Sequence, residues 1–144
     1  MLFKKKIVVT GGSGRFAQSL KKIKSKYKFI YPQKKSLDIT KVKSIKNFLK
    51  KQRPESVLHL AGLSRPMSIH NKNISRSIDL NIIGTANLVK VCSELKIKLI
   101  YFSTSYVYPG KKVTTMRKMR FYLGTIMDGQ NLGGSLLCKC MKIL

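Results

Sequence analysis

The sequence predicts an α/β fold built on a doubly wound parallel sheet. Three observations carry that prediction. A β-branched run, Ile7-Val8-Val9-Thr10, enters a glycine-rich turn, Gly11-Gly12-Ser13-Gly14, which opens a helical pattern. Short apolar runs then alternate with helical stretches along the chain, as right-handed βαβ units require. The candidate motifs fall where these apolar runs end, and an open parallel sheet binds its ligands there.

The elements follow in order. Residues 15–25 place Phe16, Leu20 and Ile23 at helical spacing, with lysines between them. Residues 27–31 form a second short strand, stopped by Pro32. Thr40 is positioned to cap a helix over 41–51 that carries Val42, Ile45, Phe48 and Leu49 on one face. Pro54 ends that helix, and 56–60 reads as a third strand. Residues 63–72 are polar and irregular. A long helix spans 74–95 with Gly84 inside it, and 97–103 is a fourth strand. On this reading the sheet is truncated after about four strands, with residues 1–111 as one partial domain and 112–144 as an aberrant tail.

Bulk composition bounds the function. The chain has 144 residues, enough for one domain with a hydrophobic core. Lys and Arg number 30 against 5 Asp and Glu, a net charge of +25 that could serve nucleic acid or an anionic surface. The lysines are spread over every helix and loop without aromatic interleaving, which favours solvated faces over a nucleic-acid partner. Three cysteines give no disulfide framework, and Cys138-Lys139-Cys140 lacks the second ligand pair of a zinc site, so no metal is expected. No apolar run is long enough to span a bilayer, and glycines interrupt the opening apolar patch where a signal peptide needs continuity; a cytoplasmic location is expected.

The glycine turn has a definite chemistry. Glycines let the backbone bend sharply and approach a ligand closely, and the new helix presents unpaired N–H groups to a phosphate. The spacing Thr10-Gly11-x-x-Gly14-x-x-Ala17 resembles the fingerprint of the extended short-chain dehydrogenases/reductases, whose fold is Rossmann-like. Four further segments resemble the same family in order: Ser36-Leu37-Asp38-Ile39-Thr40, Val57-Leu58-His59-Leu60-Ala61-Gly62, Asn81-x-x-Gly84-Thr85-x-Asn87-Leu88, and Phe102-Ser103-Thr104-Ser105-Tyr106-Val107-Tyr108. Within the family the likeness is closest to nucleotide-sugar enzymes, the dTDP-4-dehydrorhamnose reductase group above all, with sugar epimerases and dehydratases near.

The resemblance implies NAD or NADP as cofactor and a nucleotide-sugar substrate, with hydride passing between nicotinamide and sugar. It places the amides of Arg15 and Phe16 with Gly11 and Gly14 at the pyrophosphate. Asp38 and Ile39 lie by the adenine, and Leu60, Ala61, Gly62 and Ser103 along the cofactor. Thr104 would hydrogen-bond the sugar carbonyl. Each has a plainer alternative: Asp38 can simply precede the Thr40 cap, Thr104 can be a β-former, and His59 and Cys92 can be core residues. Asn81 and Asn87 can serve helix backbone, although the resemblance implies that Asn81 holds the active-site strands. No acid ends the second strand. Lys34 and Lys35 follow it, a slight lean toward a 2′-phosphate.

The family's Tyr-x-x-x-Lys pair, which brings an ammonium beside a phenol on one helix face, is absent. Tyr108 and Lys112 have the spacing but Pro109-Gly110 between them, and Tyr31 and Lys35 are separated by Pro32. Residues after about 112 instead suggest a shifted reading frame. Codons built from the third base of one codon and the first two of the next make Met127-Asp128 encode glycine. From Ile126 to Ser135 they permit Tyr-Gly-Trp-Ser-Lys-Leu-Gly-Gly-Glu, the start of the missing helix. The chain as written is therefore expected to lack catalysis. A non-catalytic dinucleotide-binding module, or a basic nucleic-acid-binding protein, are the other readings.

Overall fold

The computed structural model describes residues 5–63, 68 and 72–102. They form β1 (Lys6–Thr10), α1 (Arg15–Lys21), β2 (Lys28–Ile30), α2 (Val42–Gln52) and β3 (Ser56–His59). There follow α3 (Ile74–Ile78), a π-helical turn (Asp79–Ile83), α4 (Gly84–Glu94) and β4 (Lys98–Tyr101). The four strands pair in parallel in the order β2-β1-β3-β4. After β2 the chain crosses over β1 to reach β3, so the winding reverses between β1 and β3. The ends of those two strands make the crevice of such a sheet.

The expected strands and long helices are present, with slightly different ends. Val8, Val9 and Val57 are fully buried, as near-continuous apolar strands covered on both faces must be. Ile45 and Leu49 of α2 pack with Leu88, Val91 and Cys92 of α4 to form the core on one side of the sheet. Burial raises the Cys92 thiol to about 12, which makes it a small core residue without reactivity.

Two helix expectations need correction. The first helix ends at Lys21, where the amides of Lys22 and Ile23 close tight turns onto Ser19 and Leu20. Ala17 is its buried residue, while Phe16 and Ile23 are 52% and 62% exposed, so a further turn has no surface to bury against. Thr40 does not cap α2. Lys41 holds that position without a side-chain cap, because the Thr40 hydroxyl and amide both donate to Asp38 Oδ1, at 2.7 and 3.0 Å.

The long helix is continuous from Ile74 to Glu94 but widens to a π turn over Asp79–Ile83. Its asparagines reach away from their own helix. Asn81 Oδ1 accepts from the Leu63 amide at 2.7 Å and its Nδ2 donates to the Leu63 carbonyl at 3.0 Å. Asn87 Nδ2 donates to the Ile39 carbonyl at 3.1 Å. These bonds pin the two loops that flank the crevice. Directly after the π turn, Gly84 lies so close to Ile39 that a Cβ would stand 2.7 Å from its Cδ1 and 2.8 Å from its Cγ1.

A buried hydrogen-bond chain joins β1, β3 and this helix. Thr10 Oγ1 accepts from the amides of Leu60 and Ala61, both at 3.2 Å, which occupies its lone pairs. Its proton therefore goes to His59 Nδ1, 2.7 Å away. That assigns the imidazole proton to Nε2, which donates to Thr85 Oγ1 at 3.1 Å, and Thr85 donates to the Asn81 carbonyl at 2.9 Å. Every group has a partner only while His59 is neutral, and burial lowers its pKa to about 4.

Replacing Gly84 with Ala should destabilise the fold by about 1–2 kcal/mol in urea unfolding, because overpacking against Ile39 outweighs the helix-propensity gain. Adding Ile39→Val, which removes Cδ1, should recover part of the loss; an unchanged or increased midpoint for Gly84→Ala would contradict the packing. The His59 network sets a pH dependence. Unfolded histidine binds its proton near 6.5, whereas the buried ring waits until about 4. Between those values the unfolded chain holds the extra proton, so stability falls as pH drops through that window, by roughly 3 kcal/mol at most. Asp38, whose carboxyl is held below its ordinary value chiefly by the Thr40 hydroxyl, contributes only at lower pH. Denaturation midpoints between pH 7 and 4 should therefore slope in the parent and flatten in His59→Gln.

Candidate functional site

The crevice at the ends of β1 and β3 opens into a cleft of about 590 Å³. Its floor is the turn after β1. Gly11 has φ +71°, and a Cβ there would meet Ala61 N and Leu60 C at 2.7 Å. No other residue type lets these two backbones run so close. The turn is closed by the Gly14 amide on the Gly11 carbonyl at 2.9 Å and by Gln18 Nε2 on the Gly12 carbonyl at 3.0 Å. Gly12 fits under the Tyr31 ring, whose Cβ would be 3.0 Å from an added methyl.

Of the residues singled out from sequence, Gly11, Asp38, Ile39, Ala61 and Gly62 line this cleft. Gly14 stands at the start of α1 in an extended conformation, followed by exposed Arg15 and Phe16. These three belong to the rim of the turn and are not among the lining residues. Leu60 adjoins the cleft through the backbone that faces Gly11. Ser103 and Thr104, with the whole stretch from 112 to 144, lie outside the described residues. Asp38 does not precede a Thr40 cap, since Lys41 holds the cap position. Its carboxylate is turned onto Thr40 in a local turn, and the residue still forms part of the cleft wall.

Sequence reasoning passed over most of one side of the cleft, having marked only Lys34 there. Gln18 and Lys21 from α1, and Tyr31 to Lys34 after β2, complete the wall. Lys21 Nζ lies over the Tyr31 ring, 4.9 Å from its centroid. The signal that could have found Tyr31 is its distance from the turn, since the residue about twenty positions past the first glycine faces the ribose in dinucleotide folds. Lys34 lines the cleft and Lys35 does not. Among the described residues no cluster of three or more His, Cys, Asp or Glu could hold a metal. Among the same residues no helix is long and apolar enough to cross a membrane.

A glycine-floored crevice at a topological switch point, walled by residues after β2, matches what comparison with known proteins finds. Residues 5–122 match the RmlD substrate binding domain family. The chain is 32% identical over 107 residues to a GDP-L-colitose synthase of Yersinia pseudotuberculosis, covering 72% of this chain and 35% of that protein. It is likewise 32% identical over 110 residues to a GDP-6-deoxy-D-talose 4-dehydrogenase of Aggregatibacter actinomycetemcomitans, covering 72% and 36%. The fold is that of the dTDP-4-dehydrorhamnose reductase of Bacillus anthracis str. Ames, solved in complex with NADP. That match has a TM-score of 0.85 at 22% identity over 96% of this chain and 50% of the other. RMD from Pseudomonas aeruginosa, complexed with NADPH, gives 0.76 at 19% identity over 94% and 48%. The chain thus spans about a third of the curated relatives' length and about half of the solved chains. With the matched region covering most of its length and the sheet order agreeing, the chain belongs to the RmlD substrate binding domain family of extended short-chain dehydrogenases/reductases.

Proposed function

We propose that this chain is the NAD(P)-binding part of a nucleotide-sugar reductase, epimerase or dehydratase. One observation carries the reading: Gly11, at positive φ, brings the turn after β1 against the backbone of Leu60 and Ala61 and leaves a cleft at the switch point. Such a floor admits a pyrophosphate to backbone contact, which any side chain would block. In this reading Gly11, Gly14 and the amides of Arg15 and Phe16 hold the pyrophosphate, and Asp38 and Ile39 border the adenine. Leu60, Ala61, Gly62 and Ser103 border the rest of the cofactor, and Thr104 orients the sugar carbonyl. A bound nicotinamide supplies hydride chemistry; the chain's own residues bind and orient it.

The cofactor seat and the turnover chemistry separate in this sequence. Tyr31 lies at the end of β2 and is followed by Pro32, outside any helix, so it cannot pair with Lys35 across a helical turn. No other Tyr-x-x-x-Lys spacing except the Tyr108–Lys112 one, which Pro109-Gly110 interrupts, occurs in the 144 residues. The chain as given therefore binds cofactor without turnover. The residues after about 112 are the product of a shifted frame whose alternative translation restores the pair.

Titration of the chain with NADH and NADPH, followed by cofactor fluorescence, should show saturable binding. Gly11→Ala should weaken it by about tenfold or more, because the added Cβ strikes backbone that cannot move aside. Absence of saturable binding by the folded parent chain would refute the reading. The nucleotide sequence tests the second part. Codons from Ile126 to Ser135 should be those that read Tyr-Gly-Trp-Ser-Lys-Leu-Gly-Gly-Glu in the shifted frame, and any incompatible codon there would dismiss the frameshift.

A further inference from the structure

We propose that the groove between the ends of α2 and α4 docks an acidic segment of a partner protein, through an apolar side chain and its flanking carboxylates. The groove lies at the edge of the sheet opposite the crevice, and the proposal is independent of the dinucleotide reading. Parallel strands gather their starts on this edge, together with the ends of the helices that lead into them. Since α2 leads into β3 and α4 into its neighbour β4, the two helix ends lie side by side.

The groove encloses about 550 Å³. Its floor is apolar, with Leu49 and Pro54 buried and Leu95 and Ile97 half-buried. Exposed Lys50, Arg53 and Lys96 stand around it. Arg53 and Lys96 share an uncommon backbone. At φ 47° and 53° they are the two non-glycine residues at positive φ among the described residues, each just past its helix, where the backbone favours glycine. Both are cations on the lips of one groove. The helix ends do not need their side chains. The Arg53 amide closes onto the Leu49 carbonyl at 2.8 Å, and the Lys96 amide onto that of Ser93 at 3.2 Å.

Neither cation has an ion-pair partner among the described residues. The groove's one carboxylate, Glu55, is bonded to Lys5 at 3.0 Å. Glu94, whose charge Lys50 also feels, is bonded to Lys46 at 2.7 Å. Cations over an apolar floor, with the local carboxylates already engaged, complement a segment that brings a hydrophobic side chain and free carboxylates. A nucleic acid fits less well, since no aromatic side chain lines the groove for a base to stack on. A flat anionic membrane would meet the cations but leave the recessed floor empty.

General attraction must be separated from this local one, since a net charge of +25 draws any polyanion. The full chain is titrated at about 0.15 M salt, where open-surface charges are screened, with fluorescein-labelled Asp-Glu-X-X-Glu-Asp peptides followed by anisotropy. X is Leu, Ile or Phe, with X as Ser for comparison; hexathymidylate and phosphatidylglycerol vesicles are run in parallel. At least one apolar peptide should bind saturably and roughly tenfold tighter than the Ser peptide, because only it fills the floor. The double variant Arg53→Gly/Lys96→Gly should lose roughly tenfold of that affinity. It should keep the parent's urea midpoint, because glycine suits both backbones. The charge-matched Lys24→Gln/Lys43→Gln, at exposed positions outside the groove, should change the affinity by less than about twofold. Three outcomes would overturn the proposal: no apolar peptide outbinding the Ser peptide, an equal loss in both double variants, or groove-dependent binding of hexathymidylate or vesicles in place of the peptides.

Discussion

The crevice depends on one hydroxyl. Thr10 Oγ1, buried at the end of β1, accepts the amides of Leu60 and Ala61 and gives its proton to His59. At this point β1 and β3 have finished pairing and their chains must diverge, which leaves backbone donors without sheet partners. The threonine satisfies them, so the segment after β3 runs directly beneath the glycine turn. His59 passes the connection on to Thr85 and the Asn81 carbonyl, and the Asn81 side chain clasps Leu63. Strand ends, loop and helix are held by one set of mutually satisfied polar groups. In a low-dielectric interior such a set tolerates no missing member.

Close backbone approach is the second requirement, and it recurs at both ends of the helix contact. Gly11 meets the Leu60–Ala61 backbone, and Gly84 meets the side chain of Ile39, the residue that continues the cleft wall beyond Asp38. The π turn before Gly84 lets the long helix present Asn81 toward the loop after β3 while α4 keeps Leu88, Val91 and Cys92 in the core. A regular helix would rotate one of these sets out of place. Asn87, one turn beyond Gly84, holds the Ile39 carbonyl and so fixes the opposite lip.

The charge of the molecule is distributed in a way that leaves the cleft its own character. Glu55 and Glu94 pair with Lys5 and Lys46 at 3.0 and 2.7 Å on exposed surface, where such pairs contribute little to stability. Most lysines of α2 face solvent beside them. Lys21 and Lys34 differ because they share a concave wall with Tyr31, where geometry concentrates the field that open surface dissipates.

The sequence alone determined the order of the strands and helices, the glycine turn, and the family. These signals are local: β-branched runs, glycines at fixed spacing, and prolines that stop elements. Gly11, Asp38, Ile39, Ala61 and Gly62, all singled out from sequence, line one cleft, because each stands at or shortly after a strand end and the parallel topology gathers such ends on one edge. Tertiary structure decided what local patterns do not encode. Helical periodicity marked Phe16 and Ile23 for burial, but the buried residue of α1 is Ala17, and Phe16 and Ile23 stay exposed. Thr40 has the chemistry of a cap, yet Asp38 two residues earlier competes for its hydroxyl and wins. Tyr31 and Lys21 are ten residues apart and share no motif; only the folded chain puts an ammonium over that ring. Periodicity reports which residues can be buried, and the partner surface chooses among them.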